Sequence, residues 1–403
     1  MHQPNALRGF FRLLLAWAIA CLPAGAAPIP SSLSDLTLSG CKSADSEQYD
    51  LQAQVLATGL VHPWSLAFLP DGRMLVSERP GRLRLILPDG TLDPRPIGGL
   101  PPIRPYGQGG LLDLALHPDF AHNHWLYLSY AEEGAGGYGT AVARGRLRDH
   151  RLEQLEVIFR LEPKSRTRQH FGSRLVFDTQ GHLYVTLGDR GDRPRAQDLS
   201  DHAGSVIRLY DDGRVPGDNP SVDRPGARPE IYSYGHRNVQ GAARHPRTGR
   251  IWIHEHGPQG GDEINVIRAG VNYGWPVITY GVNYVIGTRI GEGTHKPGMA
   301  QPIHYWVPSI APSGMAFYTG EPFRRWRGNL LVGSLKFQQL VRLELDGERV
   351  THEERMLSGA FGRIRDVRQG PDGLVYLLTD AQNGKLIRLS PAAEDRSKRG
   401  EGP

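Results

Sequence analysis

Short apolar strands recur along this chain in pairs, each pair split by a turn rich in Pro, Asp or Gly. The copies are 66–68 with 74–76, 114–116 with 125–128, 175–177 with 183–185, 241–243 with 251–253, 315–317 with 330–332, and 365–367 with 375–377. Pro70-Asp71-Gly72 and Pro371-Asp372-Gly373 are typical of the turns between them. Such a pattern predicts β-hairpins, and long helical periodicity is nearly absent. The copies start 48, 61, 66, 74 and 50 residues apart. A four-stranded propeller blade takes about 40 to 50 residues, so the spacing predicts six blades with insertions in the middle ones. The fold class expected is all-β, a six-bladed β-propeller of four-stranded antiparallel blades. Residues 49–60 look like one more strand, which would pair into the last blade and close the ring.

In each hairpin the start of the first strand and the end of the second lie at one end. In a propeller, that end of the innermost strands opens on one mouth of the central channel. The residues in this phase are polar. Gln108, His170, Arg237, Asn238, Arg363 and Arg365 stand at first strands, and Asp189, Gly257, Pro258 and Lys336 follow second strands. An imidazole such as His170 is a general base suited to neutral pH, and Asp189, one hairpin away, is placed to orient it. Arg237, Lys336, Arg363 and Arg365 are too many cations for a neutral ligand alone. They suit a planar polyanion, because guanidinium pairs with carboxylate through two parallel bonds. The run from His256 to Asn265 joins Gly and Pro to neighbouring carboxylates, the hard oxygen donors that calcium takes, although its spacing is not that of an EF-hand.

The two ends change the picture. Arg8 and Arg12 precede an apolar run over 13–22 and the small residues Ala24-Gly25-Ala26. That order predicts a secretory signal over 1–27, too short for a stable membrane anchor, and hence a periplasmic or secreted protein. Cys21 and Cys41 are the only cysteines; once the signal is removed no disulfide within the chain is expected, and lipid anchoring through Cys21 is a secondary alternative. The expected organisation is a flexible extension over 28–48, the propeller over 49–391, and a flexible tail over 392–403. Gly 50 and Pro 31 agree with many turns. Net charge is +5 with basic and acidic residues interspersed, so nucleic acid is not an expected partner. No later stretch is apolar enough to span a membrane. No Gly-x-Gly-x-x-Gly follows a strand and opens a helix, which leaves a nicotinamide or flavin fold without support.

The strings Gly107-Gln108-Gly109-Gly110-Leu111-Leu112-Asp113, His170-Phe171-Gly172-Ser173-Arg174, Leu187-Gly188-Asp189 and Tyr234-Gly235-His236-Arg237-Asn238 appear in this order. Glu255-His256-Gly257-Pro258, Asp262-Glu263-Ile264-Asn265, Asn272-Tyr273-Gly274-Trp275-Pro276, Ser334-Leu335-Lys336 and Arg363-Ile364-Arg365-Asp366-Val367 follow. As an ordered set over about 55–389 they resemble the soluble aldose sugar dehydrogenases that depend on pyrroloquinoline quinone (PQQ), relatives of soluble glucose dehydrogenase. The resemblance implies oxidation of an aldose at its anomeric carbon to the lactone, with hydride passing to PQQ and electrons to an external acceptor such as a cytochrome, quinone or dye. It implies His170 as the base and Asp189 as its support. Gln108, Arg237, Asn238, Lys336, Arg363 and Arg365 would bind PQQ. The carbonyls of Gly257 and Pro258 would hold a calcium ion against the cofactor. Glu263 and Tyr273 would belong to a second, structural calcium site, with Tyr284 nearby. Ser173 stands where such proteins usually carry glycine, and the inserts at 104–106 and 282–300 are expected to line the mouth and set substrate range.

Two other readings fit a six-bladed ring. A calcium-dependent lactonase would need a central metal held by acidic or Asn side chains from several blades. A non-catalytic propeller would only bind a partner, and fold alone does not separate it from an enzyme.

Overall fold

The second strand of each hairpin is apolar on both faces, and its burial explains why. Met74–Glu78, Leu330–Ser334 and Val375–Thr379 are buried at every position. A strand in the middle of a blade is covered on both sides by neighbouring blades, so it does not alternate. The protein, described by a computed structural model over residues 41–392, is the six-bladed propeller that the repeats predict.

Each blade runs antiparallel from the channel outward. The first holds Pro63–Phe68, Met74–Glu78 and Arg82–Ile86, with single bridges Ile86 to Leu92 and Leu83 to Ile97 in place of a regular fourth strand. The second holds Leu111–Leu116, Trp125–Gly134, Gly137–Arg148 and Arg151–Arg160, and the third Leu175–Phe177, Leu183–Thr186, Ser205–Leu209 and Ile231–Tyr234. The fourth holds Val239–Arg244, Ile251–Glu255, Asp262–Val266 and His304–Trp306, and the fifth Pro312–Phe317, Leu330–Ser334, Gln339–Asp346 and Arg349–Met356. The sixth is built from both ends of the chain: Ile364–Gln369, Val375–Thr379 and Gly384–Pro391 are joined by Asp50–Leu60, which pairs with Gly384–Pro391 and closes the ring. The sheet reaches further toward the N-terminus than the pattern suggested. Cys41–Asp45 pairs with Asp50–Leu60 as a fifth strand, so the last part of the 28–48 segment is ordered by backbone pairing. The signal over 1–27, Cys21 and the tail beyond Ala392 lie outside the described residues.

Among the described residues, six apolar clusters lie one between each pair of neighbouring blades. Burial is therefore spread around the ring rather than held in one centre. Two smaller clusters lie toward the mouth: Trp64, Leu112, Ala131 and Phe171, and Ala196, Trp275 and Ile290.

The channel is tied by charge. Arg174, almost fully buried, reaches Asp113 at 3.1 Å and Asp366 at 3.0 Å, and Arg368 reaches the same two carboxylates at 2.8 Å each. Asp113 also accepts from Ser65 and the Leu175 amide, and Asp366 from the Leu66 amide. One network thus joins the innermost strands of the first, second, third and sixth blades.

Candidate active site

The innermost strands carry a second feature that hydrophobic period cannot reveal. In five of the six, register slips near the mouth end: between Pro63 and Ser65, Leu111 and Leu114, Val239 and Gly241, Pro312 and Met315, and Ile364 and Asp366. A bulge re-aims the side chain it skips. Trp64, Leu112, Gln240 and Arg365 lie in these slips, and all four line one cavity of about 290 Å³ at the mouth.

Of the residues singled out by sequence, Gln108, Asn238, Arg363 and Arg365 line this cavity, together with Phe171 and Gly172. The side-chain oxygen of Gln108 accepts the His170 amide at 2.9 Å, and that of Asn238 accepts the Gly172 amide at 3.2 Å. With both oxygens engaged by backbone N–H groups, each side chain is left with its NH2 to offer a ligand. Gln240 donates to the Gly172 carbonyl and accepts from Arg365 at 3.1 Å, which fixes the guanidinium. Asp380 also lines the cavity, and it takes His62 at 2.7 Å and Arg363 and Arg365 at 3.4 Å each. Burial raises the Asp380 pKa, but Arg365, His62 and Arg363 outweigh it and bring it down to about 2. Burial lowers Arg365 to about 10 despite Asp380, with Arg174 and Arg363 adding repulsion. The cavity therefore offers guanidinium and amide donors beside Trp64 and Phe171.

His170 adjoins the cavity without lining it, bonded through its backbone N–H to Gln108 and followed in the chain by Phe171. It is 7% exposed, and its Nδ1 meets Asp189 Oδ1 at 2.6 Å. Asp189 Oδ1 also accepts the Gly191 amide at 2.7 Å, and Oδ2 accepts Trp275 Nε1 at 2.8 Å. The close pairing needs Gly188, where a Cβ would lie 2.2 Å from the His170 carbonyl oxygen. Burial lowers the His170 pKa below its ordinary value; the Asp189 hydrogen bond opposes this and the Arg237 charge adds to it. Burial raises Asp189, but the bonds from His170 and Gly191 hold it below the usual carboxylate value. A neutral imidazole with Nδ1 held by a carboxylate keeps Nε2 as the proton acceptor. Ser173 holds a positive φ of 92°, which favours glycine. Its hydroxyl bonds the Phe171 carbonyl at 3.0 Å and faces Thr140 rather than the histidine ring.

Two expected binding residues lie differently. Lys336 is exposed at the rim, one residue past Leu335, which lines the cavity. Arg237 turns its guanidinium to the carbonyls of His256 at 3.0 Å and Gly257 at 2.7 Å. The 257–261 loop nonetheless fits a hard cation: a Cβ on Gly257 would meet the carbonyl oxygens of Gly261 and Gly260 at 2.2 and 2.3 Å, and only glycine leaves that space to oxygen donors. Pro258 packs against Gly281 at the base of the 282–300 insert, whose tip residue Tyr284 is exposed.

Glu263 lies directly opposite Glu255 across two strands. A void of about 10 Å³, with room for about one water-sized sphere, is lined by both carboxylates, Tyr273 and Thr279. Burial and the Glu255 charge push the Glu263 pKa well above its ordinary value. Asn265 donates to Glu263 at 3.2 Å while its own buried Oδ1 has no hydrogen-bond partner. Two facing carboxylates on one small void fit a divalent cation. The Tyr273 hydroxyl is committed to the Val266 carbonyl and the Arg268 amide, so its backbone carbonyl would be the donor.

Sequence reading missed Arg79, Asp380 and Glu255. Arg79 and Asp380 stand immediately after the second strands of the first and sixth blades, the same phase that singled out Asp189, and both line the cavity. A channel metal of lactonase type lacks donors: Asp113 and Asp366 are taken by Arg174 and Arg368, and among the described residues no group of three or more His, Cys, Asp or Glu is arranged to hold a metal.

Comparison with known families decides the lineage, for the model described as "Glucose / Sorbosone dehydrogenase" matches residues 60–388. The chain belongs to the glucose/sorbosone dehydrogenase family. It is 46% identical over 347 residues to the aldose sugar dehydrogenase YliI of Escherichia coli, covering 85% of this chain and 93% of that one. A crystal structure of a glucose dehydrogenase matches with 52% identity and a TM-score of 0.81, over 83% of this chain and 98% of the other. The PQQ-bound aldose sugar dehydrogenase of Streptomyces coelicolor matches with 29% identity and a TM-score of 0.69, over 84% and 98%. The protein is thus an oxidoreductase of this family, and Gln108, Phe171, Gly172, Asn238, Arg363 and Arg365 in its cavity wall come from the motifs that first suggested the resemblance.

Proposed function

We propose that the protein oxidises aldose sugars at the anomeric carbon to lactones, using PQQ and calcium. The observation that carries this reading is the donor set of the cavity: Arg363, Arg365, Arg79 and the amide NH2 groups of Gln108 and Asn238 face one space beside Trp64 and Phe171. That set complements a flat, oxygen-rich polyanion and not a neutral sugar alone. When bound there, PQQ supplies a two-electron acceptor for the hydride that leaves the anomeric carbon.

The chain's own residues do the rest. His170 takes the proton of the anomeric hydroxyl on Nε2, because Nδ1 is held by Asp189. Asp189 keeps the ring in that tautomer and offsets the imidazolium charge. Arg363 and Arg365 hold carboxylate groups, with Asp380 fixing their positions. Arg237 and Lys336 would add two more cations to bind the cofactor. The carbonyls of Gly257 and Pro258 would hold one calcium ion, and Glu263, Glu255 and the Tyr273 carbonyl would hold the second. Electrons leave to an external cytochrome, quinone or dye. Residues 1–27 act as a cleaved export signal, which places the enzyme in the periplasm or outside the cell. Among the described residues no helix is long and apolar enough to cross a membrane.

Titration of the metal-free protein with PQQ and calcium, followed by dye reduction across a panel of aldoses, tests the proposal. Activity that needs both additions is expected. Lactone hydrolysis without PQQ, or no turnover on any aldose, would overturn it.

A further inference from the structure

Trp275 belongs to no group so far assigned to the chemistry, yet it touches the acid–base pair. It is buried, and its Nε1–H donates to Asp189 Oδ2 at 2.8 Å. Asp189 Oδ1 is shared by His170 and the Gly191 amide, so among the described residues the indole is the one hydrogen-bond donor to Oδ2. The indole is itself held. Its backbone N–H donates to the Gly235 carbonyl at 2.9 Å, and its carbonyl accepts Gln197 Nε2 at 2.7 Å. The ring packs with Ala196 and Ile290 and lies beneath two guanidinium groups, Arg237 at 5.3 Å and Arg193 at 5.5 Å. Arg193 in turn donates to Asn283 at 2.7 Å, at the start of the mouth insert.

We infer that Trp275 is a positioning residue that sets the proton affinity of His170 by sharing the Asp189 carboxylate. A carboxylate that accepts a further N–H holds its electron density less available to the imidazolium. The indole donor therefore weakens the pull of Asp189 on a protonated His170 and keeps the ring neutral, the form a base requires. Removing the donor makes Asp189 more basic, and His170 then holds its proton to higher pH. The other charged or titratable groups facing the pair are Arg190 beside Asp189, Arg237, Arg193 and His256. None of them is substituted in the variants below.

The test uses the full chain without cofactor, labelled at histidine, and follows the His170 ring by NMR as pH is varied. The His170 signal is assigned by its loss in His170→Gln. Trp275→Phe keeps an aromatic ring and removes the N–H. Replacing Trp275 by benzothienylalanine keeps the bicyclic shape with sulfur in place of N–H, which guards against a packing defect. Both variants are expected to raise the His170 pKa by about half a unit or more, the scale of a lost charge-assisted hydrogen bond. An unchanged His170 pKa in the benzothienylalanine protein would overturn the inference. The kinetic link rests on the proposed role of His170. In PQQ-loaded protein the acid limb of kcat/KM should move upward by the same amount, whereas a purely structural role would lower the rate equally at every pH. A shifted ring titration with an unmoved limb would leave the inference standing and show that His170 is not the base.

Discussion

The pair Glu255 and Glu263 makes a prediction whose sign and size both follow from the structure. Glu263→Gln keeps shape and removes one of two buried, facing carboxylates. Burial and the neighbouring Glu255 hold the Glu263 pKa well above its ordinary value of 4.5. A carboxyl raised in this way contributes stability that is present below the ordinary value and is lost as pH rises through the raised one. The metal-free protein should therefore lose stability relative to Glu263→Gln as pH rises above the ordinary carboxylate value of 4.5. A divalent cation binds the ionised pair, so its stabilising effect should grow over the same range. At a free calcium concentration 100 times the dissociation constant the gain is about 2.7 kcal/mol. A folded body of about 350 residues has an unfolding entropy near 0.7 kcal/mol/K, which converts that gain to a rise in Tm of about 4 °C. Thermal unfolding with calcium and with EDTA, at both ends of the pH range, measures each term. Glu263→Gln should lose most of the calcium shift and match or exceed the parent in EDTA at the higher pH. A variant that keeps the full shift would refute the reasoning.

Arg365→Ala should weaken PQQ binding by about 10- to 100-fold, the range for a buried charge-assisted contact, whereas Lys336→Ala, at the exposed rim, should change it by less than about tenfold; equal effects in a fluorescence titration would contradict the placement of the two cations. Asp113→Ala should cost about 3 to 5 kcal/mol in denaturant unfolding, because Arg174 and Arg368 would be left sharing Asp366; a loss below about 1 kcal/mol would mean that the channel network does not hold the blades.

Much of the site is legible in the sequence. Hairpin phase alone brings Gln108, His170, Asp189, Asn238, Arg363 and Arg365 to one mouth, because strand pairing forces the two ends of each hairpin together. The same logic extends to Arg79 and Asp380, whose positions in the first and last blades look like ordinary turn residues until the ring is closed by Asp50–Leu60. The register slips were not legible. A bulge leaves the residue count and the apolar pattern almost unchanged, yet it decides that Trp64, Gln240 and Arg365 face the cavity. Nor could spacing show that Glu255 stands opposite Glu263, which depends on the pairing of Ile251–Glu255 with Asp262–Val266. The Trp275 contact with Asp189 joins a loop inside the fourth blade, between Asp262–Val266 and His304–Trp306, to one in the third, and no local pattern encodes a bond across 86 positions.

The central claim is that a donor-lined mouth holds the quinone within reach of His170. Rapid mixing of PQQ-loaded protein with an aldose, read as the absorbance change of the quinone in a single turnover, tests it directly when His170→Gln is run beside the parent. The account predicts that the variant binds PQQ as the parent does and is reduced at least ~10²-fold more slowly, the usual loss when a general base is removed. Reduction at the parent rate, or a variant that no longer binds PQQ, would contradict it.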